Sequence, residues 1–194
     1  MRFHYCPDCG AALGARELGD EGLVPWCGRC QKPLFDVFST CIIALVVNEY
    51  GEAALLRQGE LSDRFATLVS GYIKPGENAE YTARREILEE TGLAVQSLEL
   101  AGTYWFGRKD MLMVGFIARA QRREFRLSGE IQGAEWVPAA KALELVHPKG
   151  SVSYALLERY LAENTPAAAP PAQRPGPKAP GADPKQGEGE PCLN

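Results

Sequence analysis

Four cysteines in two pairs, Cys6-Pro7-Asp8-Cys9 and Cys27-Gly28-Arg29-Cys30, constrain this chain more than any other feature. Two residues between cysteines let both thiolates of a tight turn face one point, and two such turns supply the four ligands of a tetrahedral ion. Seventeen residues separate Cys9 from Cys27, a spacing that suits a tetrathiolate zinc site. Gly10 and Gly28 stand where such turns need unusual φ angles. A pair of disulfides is the competing reading. The N-terminus, Met1 to Cys6, lacks a basic-then-apolar leader, so a cytoplasmic, reducing location is expected, and with it free thiolates. Four cysteines close the coordination shell. The zinc is therefore expected to be structural, with His4 only a neighbour.

Composition divides the remainder. Eight of the fourteen prolines lie beyond Asn164, in a stretch of Ala, Pro, Gly, Lys and Glu with few large apolar residues. Such a segment cannot bury enough surface to offset its ordering entropy, so 165–194 is expected to be a disordered tail that leaves Cys192 unpaired. Residues 1–36 read as a small zinc ribbon and 37–164 as the main domain. No apolar run approaches the ~20 residues of a membrane span, and no membrane partner is expected. The net charge of −4 disfavours broad electrostatic attraction to nucleic acid and leaves room only for a local basic patch.

Within 37–164 strands interleave with helices, the pattern of a layered α/β domain. Thr40–Asn48 reads as a buried strand with Cys41 a core thiol, paired through a turn at 48–51 with Ala53–Arg57. Further strands are expected at Phe65–Val69, Ala94–Leu100, Thr103–Phe106, Leu112–Arg119 and Glu135–Val137, and helices at Lys141–Val146 and Val152–Ala162. A helix over Ala79–Thr91 takes Asn78 as N-cap and stops at Gly92.

On that helix Glu86, Glu89 and Glu90 stand at i, i+3 and i+4, so three carboxylates leave one face. Like charges at this spacing repel, and a hard divalent cation such as Mg2+ or Mn2+ reverses the sign of that cost. A merely solvated acidic face is the alternative. Gly71 and Gly76, with Pro75 between, are expected to form a constrained loop running directly into the helix N-terminus. Glu77 precedes it, eight positions before Arg85, within reach of a carboxylate–guanidinium pair that fixes the approach against the helix.

The run Gly71, Glu77, Arg85-Glu86-Ile87-Leu88-Glu89-Glu90-Thr91-Gly92-Leu93 resembles a complete Nudix box, with every fixed position filled. The resemblance implies an α/β/α sandwich with a mixed sheet that hydrolyses a nucleoside diphosphate linked to another moiety. It implies that Glu86, Glu89 and Glu90 hold Mg2+ or Mn2+, with Glu86 a candidate base and the Gly71 carbonyl a further ligand. It also implies a structural Glu77–Arg85 salt bridge, and one more carboxylate from beyond the box, for which Glu130 is favoured over Glu135.

A zinc ribbon upstream of such a box is similar to the NADH pyrophosphatases. Their Ser-Gln-Pro-Trp-Pro-Phe-Pro element is replaced here by the segment Gly102 to Met113, which keeps aromatics but neither the prolines nor the Ser-Gln pair. The expected substrate thus widens to NAD(H)-like or ADP-ribose-like small molecules cleaved to monophosphates. Tyr104, Trp105, Phe106 and Arg108 are the substrate-binding candidates, with Lys109 beside them, and half-buried core aromatics are the alternative. Trp26 is expected to pack the ribbon against the domain, and His147 to be a loop residue. Capped RNA is the one nucleic acid kept as a substrate, with Arg122-Arg123 as its basic contact. A non-catalytic nucleotide-binding module is the alternative outside enzymology. The family resemblance also implies a homodimer.

Overall fold

The computed structural model describes residues 3–58 and 64–164. The expected tail, 165–194, and Cys192 lie outside the described residues. Three short strands, β1 (Gly14–Glu17), β2 (Leu23–Cys27) and β3 (Lys32–Pro33), form an antiparallel sheet in sequence order. It packs only a small core of Cys6, Cys27 and Leu34, flanked by Cys9, Ala11 and Leu13. The Arg16 guanidinium covers the half-buried Trp26 ring at 4.5 Å, and the Trp26 backbone pairs with Gly14 and Pro33.

The second sheet has six strands: β4 (Ser39–Val47), β5 (Glu52–Arg57), β6 (Val69–Tyr72), β7 (Val95–Phe106), β8 (Met111–Ala120) and β9 (Gly133–Pro138). Its order is β7-β8-β4-β5-β9, with β6 also on β4; β4 and β8 run parallel and the other pairs antiparallel. The unbroken apolar run of β4 marks a strand covered on both faces. Ile43, Leu45 and Val47 face one core beneath α2 (Ala139–Leu145) and α3 (Val152–Asn164). Ile42, Ala44 and Val46 face the other, beneath α1 (Ala79–Thr91). The result is the expected α/β/α sandwich. Among the described residues no helix is long and apolar enough to cross a membrane.

Asn48 holds the β4–β5 turn. Its buried side-chain oxygen accepts from the amides of Tyr50 (2.9 Å) and Glu52 (3.0 Å), and its amide donates to the Glu52 carboxylate at 2.8 Å.

Two strand expectations change. The strand expected at Phe65–Val69 contributes only single bridges at Ala66 and Thr67, and the true strand is Val69–Tyr72. Gly71 therefore lies within a strand rather than in a loop. The two strands expected at 94–100 and 103–106 are one strand, β7, which runs through Gly102 and takes up Gln96 and Ala101 as extra residues at the register shifts Val95/Ser97 and Leu100/Gly102. A bulge accommodates the extra residue without ending the ladder.

One topological detail creates the site. β4 pairs with β6 only over Cys41–Ala44, and meets β5 at Val47–Ala53, while β5 continues alongside β9. The sheet thus splits, leaving a gap between β6 and the β5–β9 pair.

Candidate active site

A cleft of about 740 Å3 is lined by residues of β4, β6, α1, β7 and β8 and of the segments that follow β5 and precede β9. One end is acidic, lined by Ser70, Gly71, Glu86, Glu90 and Glu130. Another wall is apolar and sulfur-rich, formed by Cys41, Phe106, Met111 and Met113. Gln58, Gln132, Lys74 and Lys109 complete the lining with Tyr72 and Gly129.

The acidic end is built from α1. Asn78 caps the helix by accepting the Tyr81 amide at 2.8 Å, and Gly92 ends it with φ +72°, as the sequence predicts. Ala83, Ile87 and Glu90 fall on the buried side, so a carboxylate occupies a position in the apolar stripe. The three glutamates that share one face in sequence are graded by the fold. Glu90 is buried, Glu86 is mostly covered by its neighbours, and Glu89 is half-exposed. Burial, then repulsion from Glu86 and Glu130, pushes the Glu90 carboxyl up to about 8, against the opposing donation of the Ser70 amide. Its Oε2 is buried with no hydrogen-bond partner among the described residues. An unpartnered buried carboxylate oxygen amid other carboxylates fits a hard divalent cation, which supplies the missing charge.

Gly71 has a steric reason. A Cβ built there would lie 2.1 Å from Glu86 Cδ and 2.2 Å from its Oε1. The Glu86 carboxylate rests on bare strand backbone, and any side chain at Gly71 would push it away. Glu130 joins Glu86 and Glu90 in the cleft, whereas its rival Glu135 sits in β9 and pairs with Arg57 at 3.1 Å.

Arg85 organises the approach to the helix. Its Nε and Nη2 donate to the two Glu77 oxygens at 2.9 Å each, and its Nη1 donates to Glu86 at 2.7 Å and Glu89 at 2.9 Å. Glu77 also accepts from the Thr82 hydroxyl at 2.8 Å and the Lys74 amide at 3.3 Å. These donors, Arg85 foremost, hold its carboxyl down to about 2. The sign follows: a folded value below the unfolded 4.5 contributes stability that is complete above pH 4.5 and is lost as the pH falls toward 2. Urea melts from pH 7 to 2 are expected to show Glu77→Gln less stable than wild type at pH 7, with the difference shrinking across that window. A constant difference would remove this ion pair from the acid response.

Of the expected substrate-binding residues, Phe106 lines the cleft. Tyr104 instead packs into the α2–α3 core, so close to Gly115 that a Cβ there would meet its ring at 2.7 Å. Trp105 points to the other face and meets Phe38 edge-on, with centroids 5.5 Å apart. Arg108 is exposed and absent from the lining, which its neighbour Lys109 joins. Met111, Met113, Gln58 and Gln132 also line the cleft without having been expected as site residues, because their places depend on strand pairing. Cys41 reads correctly as a buried thiol but also faces the cleft; burial pushes it up to about 11. His147 stands in a loop and packs on Phe65 at 4.7 Å. Arg122, considered as an RNA contact, is engaged with Glu52 at 2.9 Å near the β4–β5 turn.

The cysteines form a second centre. The ligand atoms of Cys6, Cys9, Cys27 and Cys30 lie within 4.8 Å of one another. The Cys6–Cys30 and Cys9–Cys27 sulfurs are 3.9 and 3.6 Å apart, against ~3.8 Å for the edge of a ZnS4 tetrahedron with 2.3 Å bonds. These distances exclude disulfides and fit a structural zinc. The Cys30 amide donates to Cys27 Sγ at 3.3 Å and leads the effects that bring this thiol down to about 7. His4 is not among the clustered ligands. The first turn closes at Gly10 (φ +72°), as expected, but its counterpart in the second turn is Gln31 (φ +55°), not Gly28. Lys32 and Asp8 form an ion pair that ties the two turns together.

The NUDIX domain profile matches residues 38–160. Over 162 residues the chain is 28% identical to the NAD-capped RNA hydrolase NudC of Vibrio cholerae, a match covering 83% of this chain and 58% of that protein. It is 26% identical over 180 residues to the human NAD-capped RNA hydrolase NUDT12, covering 84% of this chain and 39% of that one. The chain thus spans less than three fifths of the length of either relative. The fold is similar to that of a NUDIX hydrolase from Nitrosomonas europaea, with a TM-score of 0.63, 18% identity and coverage of 84% and 92% of the two chains. With well over half of its residues matched, and β6, α1 and the cleft inside the matched span, the chain belongs to the NUDIX domain family.

Proposed function

We propose that this protein is a Mg2+- or Mn2+-dependent pyrophosphohydrolase. Its substrate would be a nucleoside diphosphate joined to another moiety, NAD(H)-like or ADP-ribose-like, cleaved to two monophosphates. The observation that carries the reading is the buried Glu90 carboxylate, whose Oε2 has no hydrogen-bond partner among the described residues, lining with Glu86 and Glu130 a cleft that also has an apolar wall. Glu86, Glu89, Glu90, Glu130 and the Gly71 carbonyl would hold the divalent ions. Those ions, when bound, neutralise the diphosphate and acidify an attacking water.

The chain's own residues set the geometry. Arg85 ties Glu86 and Glu89 to the Glu77 approach, the bare backbone at Gly71 admits the Glu86 carboxylate, and Glu86 is the candidate proton acceptor. Phe106, Met111 and Met113 offer a surface for a planar ring. The tetrathiolate cluster would hold a structural Zn2+, whose thiolates suit a reducing cytoplasm. Removal of an NAD cap from RNA is a second reading, favoured by the names of the relatives and using the same bond.

The test is product analysis by mass spectrometry on NAD, NADH, ADP-ribose and an NAD-capped oligonucleotide, with and without Mg2+. Metal-dependent release of monophosphates is expected. If the protein cleaves none of them in either Mg2+ or Mn2+, the reading passes to a non-catalytic nucleotide-binding module.

A further inference from the structure

Lys109 is the feature that the proposed chemistry leaves without a task. It stands in the turn between β7 and β8, exposed, next to Asp110, whose φ of +45° is rare for a residue with a side chain. Left-handed backbone at such a position persists only where the surroundings hold it, and it clusters at functional sites. Here it lies between Lys109 and Met111, both of which line the cleft. The ammonium sits on the ring-side wall, near enough to Cys41 to act on its thiol. Among the described residues Lys109 joins no ion pair, so no carboxylate of the cleft lies within 4.0 Å of its ammonium, and the charges that act on Glu90 are the neighbouring carboxylates and not Lys109.

The charges in the cleft are therefore divided. At the carboxylate end, divalent ions would neutralise the diphosphate. At the ring-side rim, a plain nucleoside brings no anion to balance Lys109. We propose that Lys109 is a specificity-determining residue that pairs with a further phosphate on the ribose of the wall-bound nucleoside. This inference rests on the diphosphate-hydrolase reading. The same chemistry comes from two sources: a phosphomonoester on a small dinucleotide, or the first 3′-phosphodiester of an RNA chain that carries the dinucleotide as a cap.

The experiment measures kcat and KM of the full chain, in saturating Mg2+, on NAD, NADP and an NAD-capped trinucleotide. These are compared for wild type, Lys109→Met and Lys109→Arg, with folding checked by circular dichroism. Lys109 is exposed, so both variants are expected to fold. The wild type should prefer at least one phosphate-bearing substrate over NAD by about tenfold in kcat/KM, the scale of a charge-assisted hydrogen bond. Lys109→Met should bring that ratio close to one through KM, and Lys109→Arg should retain most of it. Preference for NADP alone identifies the phosphomonoester source, and preference for the capped oligonucleotide alone identifies RNA. Equal losses on all three substrates would make Lys109 a general diphosphate or ring contact and overturn the proposal, as would an unchanged ratio. Wild type that cleaves none of the three overturns the hydrolase reading and this inference together, whereas wild type that cleaves all three without preference overturns the inference alone.

Discussion

Glu90→Gln is expected to reduce turnover by about a hundredfold or more while making the protein free of Mg2+ and Mn2+ more stable. The catalytic loss follows from charge. An amide keeps the volume and can still accept from Ser70, but removes a negative charge from a site built for a hard cation. Mutating the outer partners of metal ligands costs about 10–100-fold, and losing a ligand charge should exceed that. The gain in stability follows from burial. The folded carboxyl at about 8 against an unfolded 4.5 means that folding takes up a proton at neutral pH. That penalty is absent below pH 4.5, grows to about 3 kcal/mol near pH 7, and levels off above 8. Calorimetry with both metals withheld should therefore show Glu90→Gln melting a few degrees above wild type at pH 8, and close to it at pH 5. Near-wild-type turnover in saturating Mg2+ would end the assignment of Glu90 to the metal site.

Cys27→Ser is expected to lose the zinc and unfold the N-terminal sheet while leaving the larger sheet folded. The core of that small sheet is Cys6, Cys27 and Leu34 with three half-buried neighbours, too little apolar surface to hold three short strands by itself. Zinc binding to four thiolates supplies ~10–16 kcal/mol of apparent free energy in small metal-folded domains, so metal rather than packing holds it together. The measurement pairs metal content with limited proteolysis. Wild type should hold one zinc and resist cleavage over 3–34, and the variant should hold none and be cut there. A variant that kept its zinc, or a zinc-free wild type with an intact ribbon, would contradict this account.

Sequence alone determined the parts governed by local rules. Asn78 and Gly92 bound α1 because capping is decided within a few residues. Glu77 and Arg85 meet because Glu77 directly precedes the Asn78 cap, and two helical turns bring Arg85 back within reach of it. The cysteines converge because their spacing allows one tetrahedral point and little else. Long-range pairing decided the rest. β6 is Val69–Tyr72 rather than 65–69 because its register against Cys41–Ala44 sets its limits, and a glycine in mid-strand reads locally as a loop. Alternation puts Tyr104 and Phe106 on one face and Trp105 on the other, but the bulge at Leu100/Gly102 fixes which face meets the cleft. β4 divides its edge between β6 and β5, and that division sets Gly71 beside the α1 carboxylates that share the cleft with Glu130, while Glu135 stays in β9 against Arg57. No local pattern encodes that split. It arises where strands far apart in the chain compete for one backbone edge, and only their joint packing determines where one stops and the next begins.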